Sequence, residues 1–380
     1  MKKFLFAIMA FAAVTFASCG KEPNEPQPDQ PGDNPDTTTV EDLAAGFYMS
    51  AASEQLQCEA VSENGVWAVG KNFDANVAAL WNLSTNEVIT FDGEGGALHA
   101  VTSRGVAVGD NNGFAVVVRD GKMTTLQGNA NEAGSSAYGI SEDGKVIVGF
   151  YFDEAWTTKP CVWDEAGNRT DLTLPTVAEV PFAFNGGEAR WVSADGSVIA
   201  GFLMDDFSTW PAVIWRKSGS SYVCDVICKD YFEANYQEGK PYMQFGTDAM
   251  ALSKNGEWLT LVTQAEYDPD NWDVPAPVSK AARFNLKSKT LEVFEGVDYL
   301  FGIANDGTAL GCTTDMMSGD RQGFVVKANE STPTPFLNVY TNEELTTLTS
   351  VTPSAINGKG NVVLGVGFGD DGMFSFVIVK

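Results

Sequence analysis

The sequence predicts an all-β fold, and three observations lead to this prediction. First, a turn motif recurs seven times, as an apolar residue, a small polar residue, two variable residues and a glycine. Second, most copies continue into an apolar strand that ends in glycine, and then into a third and often a fourth strand. Third, no convincing helical pattern separates the copies. Four strands every 40–60 residues predict a seven-bladed β-propeller. A stacked β-solenoid is the alternative, but its coils are shorter and more uniform.

The turns themselves carry the strongest hairpin signals. Asp-Gly and Asn-Gly pairs form tight turns because the central residues need positive φ, which these residues tolerate. The seven copies are VSENG 61–65, VTSRG 101–105, ISEDG 140–144, VSADG 192–196, LSKNG 252–256, IANDG 303–307 and INGKG 356–360.

The first 18 residues predict a lipoprotein signal peptide. Lys2 and Lys3 precede an apolar run, 4–16, which is too short to span a bilayer. The small residues before Cys19 resemble a lipobox, which implies cleavage before Cys19 and lipidation of its side chain. A plain secretory signal is the alternative. Residues 20–42 are acidic, rich in proline and almost without apolar side chains, which predicts an extended tether over residues 19–45.

The propeller is expected to occupy residues 46–380 as one domain. The last copy ends at MFSFVIVK, its third strand, and no chain remains for a fourth. The first copy is preceded by GFYMSAA, 46–52, an apolar strand without a blade of its own. We therefore expect this N-terminal strand to pair with the last blade, which would close the ring and remove an open sheet edge.

Charge and cysteine content exclude several classes of protein. Removal of Lys2 and Lys3 with the signal leaves 22 basic residues against 50 acidic ones, a net charge of −28. That field disfavours nucleic acid and anionic membrane surfaces as partners. Five cysteines follow Cys19, at positions 58, 161, 224, 228 and 312. Since their number is odd and the 224/228 pair lacks further metal ligands, we expect neither a disulfide framework nor a metal site.

The copies resemble the HAF-type extracellular repeat, whose blades read roughly Ile-Asn-x-x-Gly, Val-Val-Gly and Ala-Phe-x-Trp. The resemblance runs from about residue 46 to the end of the chain and implies the fold rather than an activity. A lipoprotein propeller on an acidic tether also resembles those that Bacteroidetes place beside TonB-dependent transporters. With the Lys21-Glu22 pair, this resemblance implies an outer-membrane anchor facing the cell exterior. A periplasm-facing anchor is the alternative.

One column of aligned positions predicts the central mouth. The position two residues before the apolar turn residue differs from copy to copy, whereas the next position is small or neutral in every copy except Trp191. Such a contrast predicts a ring of side chains around the mouth, with packing between blades as the alternative. The ring consists of Glu59, His99, Tyr138, Arg190, Met250, Phe301 and Ser354.

Loops between the second and third strands add exposed aromatic side chains that suit stacking on a flat ligand. We predict eight ligand-binding residues, namely His99, Tyr138, Arg190, Trp156, Trp210, Trp272, Phe301 and Arg321. Acidic clusters in the same loops could hold Ca²⁺, but their spacing matches no known calcium loop, and solvated acids are the more ordinary interpretation. We predict no cofactor and no metal site.

The function predicted from the sequence is capture rather than catalysis. The single histidine, His99, rules out a site with several histidine ligands, and no phosphate-binding glycine loop is present. The architectural resemblance implies a receptor for a small nutrient, a ferric siderophore first and cobalamin second, that passes its ligand to a TonB-dependent outer-membrane transporter. The alternatives are a propeller that binds or cleaves polysaccharide, and a protein-interaction scaffold or adhesin.

Overall fold

The computed structural model describes residues 41–51, 54–128, 131–176, 184–204, 211–227, 247–263, 280–314, 321–370 and 372–380, with the backbone alone for 247–250. Across these residues the fold is nearly all-β. The first strand, β1, spans Gly46–Met49.

The strands that follow fall into seven groups in chain order. The first group is β2 (Leu56–Val61), β3 (Trp67–Asn72), β4 (Val77–Asn82) and β5 (Glu87–Thr90). The second is β6 (Gly96–Val101), β7 (Ala107–Asn111), β8 (Phe114–Arg119) and β9 (Lys122–Thr125). The third is β10 (Gly134–Ile140), β11 (Ile147–Phe152), β12 (Thr158–Trp163) and β13 (Arg169–Asp171). The fourth is β14 (Gly186–Val192), β15 (Val198–Met204), β16 (Ala212–Ser218) and β17 (Ser221–Val226).

The last three groups follow the same order with one variation. The fifth is β18 (Thr247–Leu252), β19 (Trp258–Thr263), β20 (Lys280–Asn285) and β21 (Thr290–Val293). The sixth is β22 (Tyr299–Ile303), β23 (Ala309–Thr314), β24 (Arg321–Val326) and the two-residue β25 (Thr334–Pro335). The seventh is β26 (Ser350–Ile356), β27 (Val362–Gly369) and β28 (Gly372–Val379). A short helix, α1 (Phe336–Val339), and a 3₁₀ turn (Leu345–Thr347) lie between the last two groups.

Each of the first five groups is a four-stranded antiparallel sheet in chain order. The sixth and seventh groups are joined into one eight-stranded sheet by a single parallel pairing, Gln322 with Val351. Strand β1 pairs antiparallel with β28, from Gly46 opposite Val379 to Met49 opposite Phe376. The prediction of four-stranded antiparallel sheets in a nearly all-β fold is confirmed for the first five groups, and the N-terminal strand ends at Met49 rather than at residue 52.

Hydrogen bonds of a buried hydroxyl group stabilise the repeated turn. In the first copy, Ser62 is fully buried and its Oγ donates a hydrogen bond to Asn64 Oδ1 at 2.7 Å. The same oxygen accepts a hydrogen bond from the backbone N–H of Trp67 at 3.0 Å. Gly65 completes the turn with φ of 75°, a conformation that costs little only for glycine. Ser141, Ser193 and Ser253 make the same pair of bonds.

The seven turns are hydrogen-bonded to one another in chain order, and the seventh is bonded to the first. The bonds join Asn64 Nδ2 to Ser103 O (3.2 Å), Ser103 N to Glu142 Oε1 (2.9 Å), Glu142 N to Ala194 O (2.9 Å), Ala194 N to Lys254 O (2.7 Å), Asn255 N to Asn305 Oδ1 (2.8 Å), Asn305 N to Gly358 O (2.9 Å) and Gly358 N to Glu63 Oε1 (2.8 Å).

The apolar core is divided among the interfaces between neighbouring groups. Val198, Ala200 and Ile214 of the fourth group, for example, pack in one cluster with Leu259, Leu261 and Phe284 of the fifth. Another cluster joins Leu56, Ala79 and Trp81 of the first group to Val362, Leu364 and Val377 of the seventh. Burial of these side chains is the main stabilising contribution to such a fold. Among the described residues, no helix is long and apolar enough to cross a membrane.

Candidate functional site

Every first strand of a group carries a β-bulge, and the bulge falls at the position predicted to form the ring. In the pairing of β2 with β3, the register passes from Cys58 directly to Ala60, so Glu59 is unpaired. A bulge leaves one residue out of the ladder and redirects its side chain, and bulges are frequent next to functional sites. The unpaired residues of the seven groups are Glu59, His99, Tyr138, Arg190, Met250, Phe301 and Ser354.

Residues of all seven first strands line one cavity of about 900 Å³. The bulge side chains Glu59, His99, Tyr138, Arg190, Phe301 and Ser354 are in its wall, and Arg321 lines it as well. Met250 lies at the corresponding backbone position of the fifth group. The wall thus brings together five of the eight predicted ligand-binding residues.

His99 is held between two carboxylates. Its Nδ1 lies 2.7 Å from Glu59 Oε2, and its Nε2 lies 3.0 Å from Asp110 Oδ1. Burial of the ring, which is 10% exposed, lowers its pKa. The hydrogen bonds and charges of Asp110 and Glu59 outweigh burial and raise the pKa to about 9. The imidazole is therefore protonated at neutral pH and donates a hydrogen bond from each nitrogen.

Tyr138 lies between His99 and Arg190. The His99 and Tyr138 rings are nearly parallel, with centroids 4.3 Å apart. The guanidinium carbon of Arg190 lies 4.3 Å from the centroid of the Tyr138 ring, in cation–π geometry. Burial raises the pKa of the Tyr138 hydroxyl, and the positive charge of Arg190 opposes that shift.

A buried acid fixes Arg190. Its Nε and Nη2 donate to Glu188 Oε2 at 2.7 Å and 2.6 Å, and the Glu188 side chain is 8% exposed. Burial raises the pKa of Glu188, and the ion pair with Arg190 opposes that rise. Glu59, His99, Tyr138, Arg190 and Glu188 thus form one continuous series of contacts across the first four groups, which we call the charged column.

Apart from Lys254 and Arg321, the remaining wall of the cavity is apolar or weakly polar. Phe301 and Pro353 line it, with Phe368 and Met373 from the β27–β28 hairpin. Hydroxyl groups are present as well, and Ser354 Oγ donates to the carbonyl oxygen of Cys58 at 3.4 Å. The cavity therefore presents a charged wall and an apolar wall to the same space.

Trp156 lies in the β11–β12 turn and does not line the cavity. Its side chain is 70% exposed, and its φ is 61°, a left-handed conformation that is uncommon for a bulky residue. A series of ring contacts connects it to the charged column. The centroid distances are 5.9 Å from Trp156 to Phe152, 5.4 Å from Phe152 to Phe150, and 5.9 Å from Phe150 to Tyr138.

Some predictions cannot be placed on this geometry. Cys19, Trp210 and Trp272 lie outside the described residues. Cys58, Cys161 and Cys312 are buried free thiols, and the Cys224 side chain is partly buried. Among the described residues, no group of three or more His, Cys, Asp or Glu side chains is arranged to hold a metal ion.

Two acids that stabilise the charged column were not predicted from the sequence. Asp110 is in the second strand of its group, and Glu188 lies two residues before Arg190 in the first strand of its own. The only signal in the sequence was an acidic residue close to a basic residue of the predicted ring. It could not be interpreted without the bulge, which determines which side chains reach the cavity.

Comparisons with known proteins bear on the fold. No family model matches the chain, and no curated protein matches it. Among solved structures, the β-propeller domain of the Trilobed protease from Pyrococcus furiosus aligns over 87% of this chain and 95% of its own, with 12% identity and a TM-score of 0.50. The chain has a propeller-like fold.

Two further structures support the same fold. Kuenenia stuttgartiensis hydrazine synthase aligns over 92% of this chain and 99% of its own, with 13% identity and a TM-score of 0.50. A Mycobacterium tuberculosis puromycin-hydrolyzing peptidase aligns over 87% of this chain and 53% of its own, with 14% identity and a TM-score of 0.52. At these identities the similarity concerns architecture alone.

Proposed function

We propose that the seven strand groups are the blades of one closed propeller and that β1 supplies the fourth strand of the last blade. Three observations support closure: the pairing of β1 with β28, the hydrogen bond from the seventh turn to the first, and the core cluster shared by the first and seventh groups. Closure would place all seven bulges around one axis and so create the cavity.

We further propose that the protein is a receptor that binds a small molecule in this cavity without converting it. The observation that carries the proposal is the convergence of residues from all seven first strands, with six bulge side chains among them, on one cavity of about 900 Å³, a size typical of ligand pockets. The bulged side chain differs from group to group, whereas the backbone conformation is the same in each group. A binding site on a repetitive scaffold requires this combination.

The charged column supports binding over catalysis. Both ring nitrogens of His99 are bound to carboxylates, and its raised pKa keeps it protonated, so it is a poor general base at neutral pH. The guanidinium of Arg190 is held by Glu188 in the same way. Because these charged side chains hold one another in place, the wall of the cavity is preorganised for binding a ligand.

The architectural resemblance implies a ferric siderophore or cobalamin as the ligand, and both are small molecules that such a receptor would bind. Anchoring through Cys19, an outward orientation on the outer membrane, and transfer of the ligand to a TonB-dependent transporter remain part of the proposal. Cys19→Ala should release the protein from membranes without changing its melting temperature, because the tether precedes the propeller. Retention of this variant in the membrane fraction would contradict the lipid anchor.

Blocking the cavity tests the receptor function. Ser354→Tyr places a large side chain at a bulge, a position that accepts tyrosine at Tyr138 in the third group. The control is Val223→Tyr, which introduces the same side chain at a site that is 57% exposed on the outer strand β17. Calorimetric titration with ferric siderophores, cobalamin and oligosaccharides should detect binding to the unmodified protein and the control, and at least tenfold weaker binding to Ser354→Tyr.

Two results would contradict the receptor proposal. One is the absence of binding by any member of the panel. The other is equal affinity of Ser354→Tyr and the control. Mass spectrometry of the incubated ligand distinguishes the alternative, because a polysaccharide-cleaving propeller would release products that a receptor does not.

A further inference from the structure

The polar atoms that the charged column leaves available are few and of mixed character. Glu59 Oε1 can accept a hydrogen bond, the Tyr138 hydroxyl can donate and accept, and Arg190 Nη1 can donate. None of these three atoms has a hydrogen-bond partner among the described residues, whereas Glu59 Oε2 and Arg190 Nε and Nη2 are already bound. A ligand with several hydroxyl groups matches this alternation of donors and acceptors.

The charges of the cavity are largely neutralised within the protein. His99 and Arg190 face three acids, Glu59, Asp110 and Glu188. Lys254, at the end of the cavity near the turns, interacts with Glu63. Among the described residues that line the cavity, Lys254 and Arg321 are cations without an ion pair, and the whole chain carries a formal net charge of −26. This balance disfavours a strongly anionic ligand.

Trp156 offers a second contact point outside the cavity. Asp153 shapes its turn, because Asp153 O accepts the Trp156 N–H at 2.9 Å and Asp153 Oδ1 accepts the N–H groups of Ala155 and Thr157 at 2.9 Å and 3.0 Å. The structure thus holds a large apolar ring in solvent on a left-handed backbone. An outlier of this kind at an exposed position points to a role in binding.

We propose that the ligand is a neutral carbohydrate chain, with one sugar in the cavity between the charged column and Phe301 and another stacked on the indole of Trp156. The inference rests on the receptor function proposed above and specifies its ligand. Sugar hydroxyls would take up the free atoms of Glu59, Tyr138 and Arg190, and the C–H faces of the sugars would pack on the aromatic rings.

The test compares oligosaccharides that differ in charge and length. Calorimetric titrations use gluco-, manno- and galacto-hexasaccharides, the corresponding monosaccharides, and hexagalacturonate as the anionic counterpart. We expect at least one neutral hexasaccharide to bind, and to bind at least tenfold more tightly than its monosaccharide and than hexagalacturonate. Cobalamin and a ferric siderophore are titrated in parallel.

Variants at Trp156 separate stacking from a merely structural role. Trp156→Gly removes the ring and suits the left-handed backbone, whereas Trp156→Phe retains an aromatic surface. We expect the glycine variant to lose at least fivefold in affinity for the hexasaccharide and none for the monosaccharide, with the phenylalanine variant losing less. Val223→Ala serves as the exposed control and should bind as the unmodified protein does.

The outcomes distinguish this inference from the receptor function. Binding of cobalamin or of the ferric siderophore without any neutral oligosaccharide would overturn the carbohydrate assignment and leave the receptor function standing. Binding of no ligand would overturn both. Preferential binding of hexagalacturonate, or equal affinities of Trp156→Gly and Trp156→Phe, would also contradict the inference.

Discussion

His99 is the residue whose behaviour depends most on its surroundings. Because it is the only histidine in the chain, its imidazole resonances can be assigned without ambiguity. We predict that NMR titration gives a pKa of about 9 rather than the ordinary 6.5, since Asp110 and Glu59 hold the protonated ring. A titration near 6.5 would show that the two carboxylates do not flank the ring in solution.

The same shift predicts how stability changes with pH. A folded-state pKa above the unfolded-state value means that the native state binds the proton more tightly, so the stabilisation is complete below pH 6.5 and is lost as pH rises through about 9. Its magnitude is on the order of 3 kcal/mol, because one unit of pKa corresponds to about 1.4 kcal/mol. His99→Gln should lack this pH-dependent part of the unfolding free energy.

Arg190 and Glu188 test whether the charged column depends on buried pairing. Arg190→Met leaves the Glu188 carboxylate, 8% exposed, without its partner, which should cost about 3 kcal/mol in chemical denaturation at neutral pH. The loss should shrink at acidic pH, where Glu188 becomes protonated. The double variant Arg190→Met/Glu188→Gln should recover most of it, and an equal loss in both variants would contradict the pairing.

At the scale of the strand, the bulge explains why glycine follows the apolar residues of the second strand. A Cβ on Gly149, which is paired with Ala137 just before the bulge at Tyr138, would lie 2.0 Å from the carbonyl oxygen of Ser136. The bulge brings the backbones this close, so a side chain cannot be accommodated without displacing the strand.

Gly149→Ala should therefore damage both stability and the site. We expect a loss of more than about 2 kcal/mol, together with a change in the His99 resonances, because Tyr138 stacks on that ring. The matched control is Gly121→Ala, whose Cβ would meet nothing within 4 Å. Its only cost is the strain of an alanine at a φ of 70°, about 1 kcal/mol. Equal losses in the two variants would argue against the bulge.

The repeat made the turns and the strand types predictable, because the buried hydroxyl, the following Asp or Asn and the glycine form one local motif. The aligned position before the turn, which includes His99 and Arg190, coincides with the bulged position of each first strand. The bulge itself was not predicted, since two-residue periodicity does not reveal an unpaired position. Nor were the roles of Asp110, which contacts His99 from a neighbouring strand, and of Glu188, which contacts the bulged Arg190 within the same strand. The sixth group departs most from the repeat, because β25 is two residues long and α1 follows it.

At the scale of the whole molecule, the proposed function depends on the proposed closure of the propeller. Residues far apart in the chain meet at the join: Ser375 of β28 accepts a hydrogen bond on Oγ from the backbone N–H of Cys58 at 2.8 Å, and its own N–H donates to Ser50 Oγ at 3.0 Å. The Phe47 and Phe376 rings stack with centroids 6.1 Å apart. The N-terminal strand therefore contributes both backbone pairing and apolar contact to β28 of the seventh group.

Comparing two truncations tests closure most directly. Deletion of 46–52 removes β1, whereas deletion of 20–40 removes only residues of the tether. The first should lower the unfolding free energy by about 3 kcal/mol or more, because it uncovers the backbone edge of β28 and strips apolar contacts from it. The second should leave the unfolding free energy unchanged. If denaturation gives the same midpoint for both truncations, the N-terminal strand does not close the ring, and the convergence of the seven bulges on one cavity is contradicted.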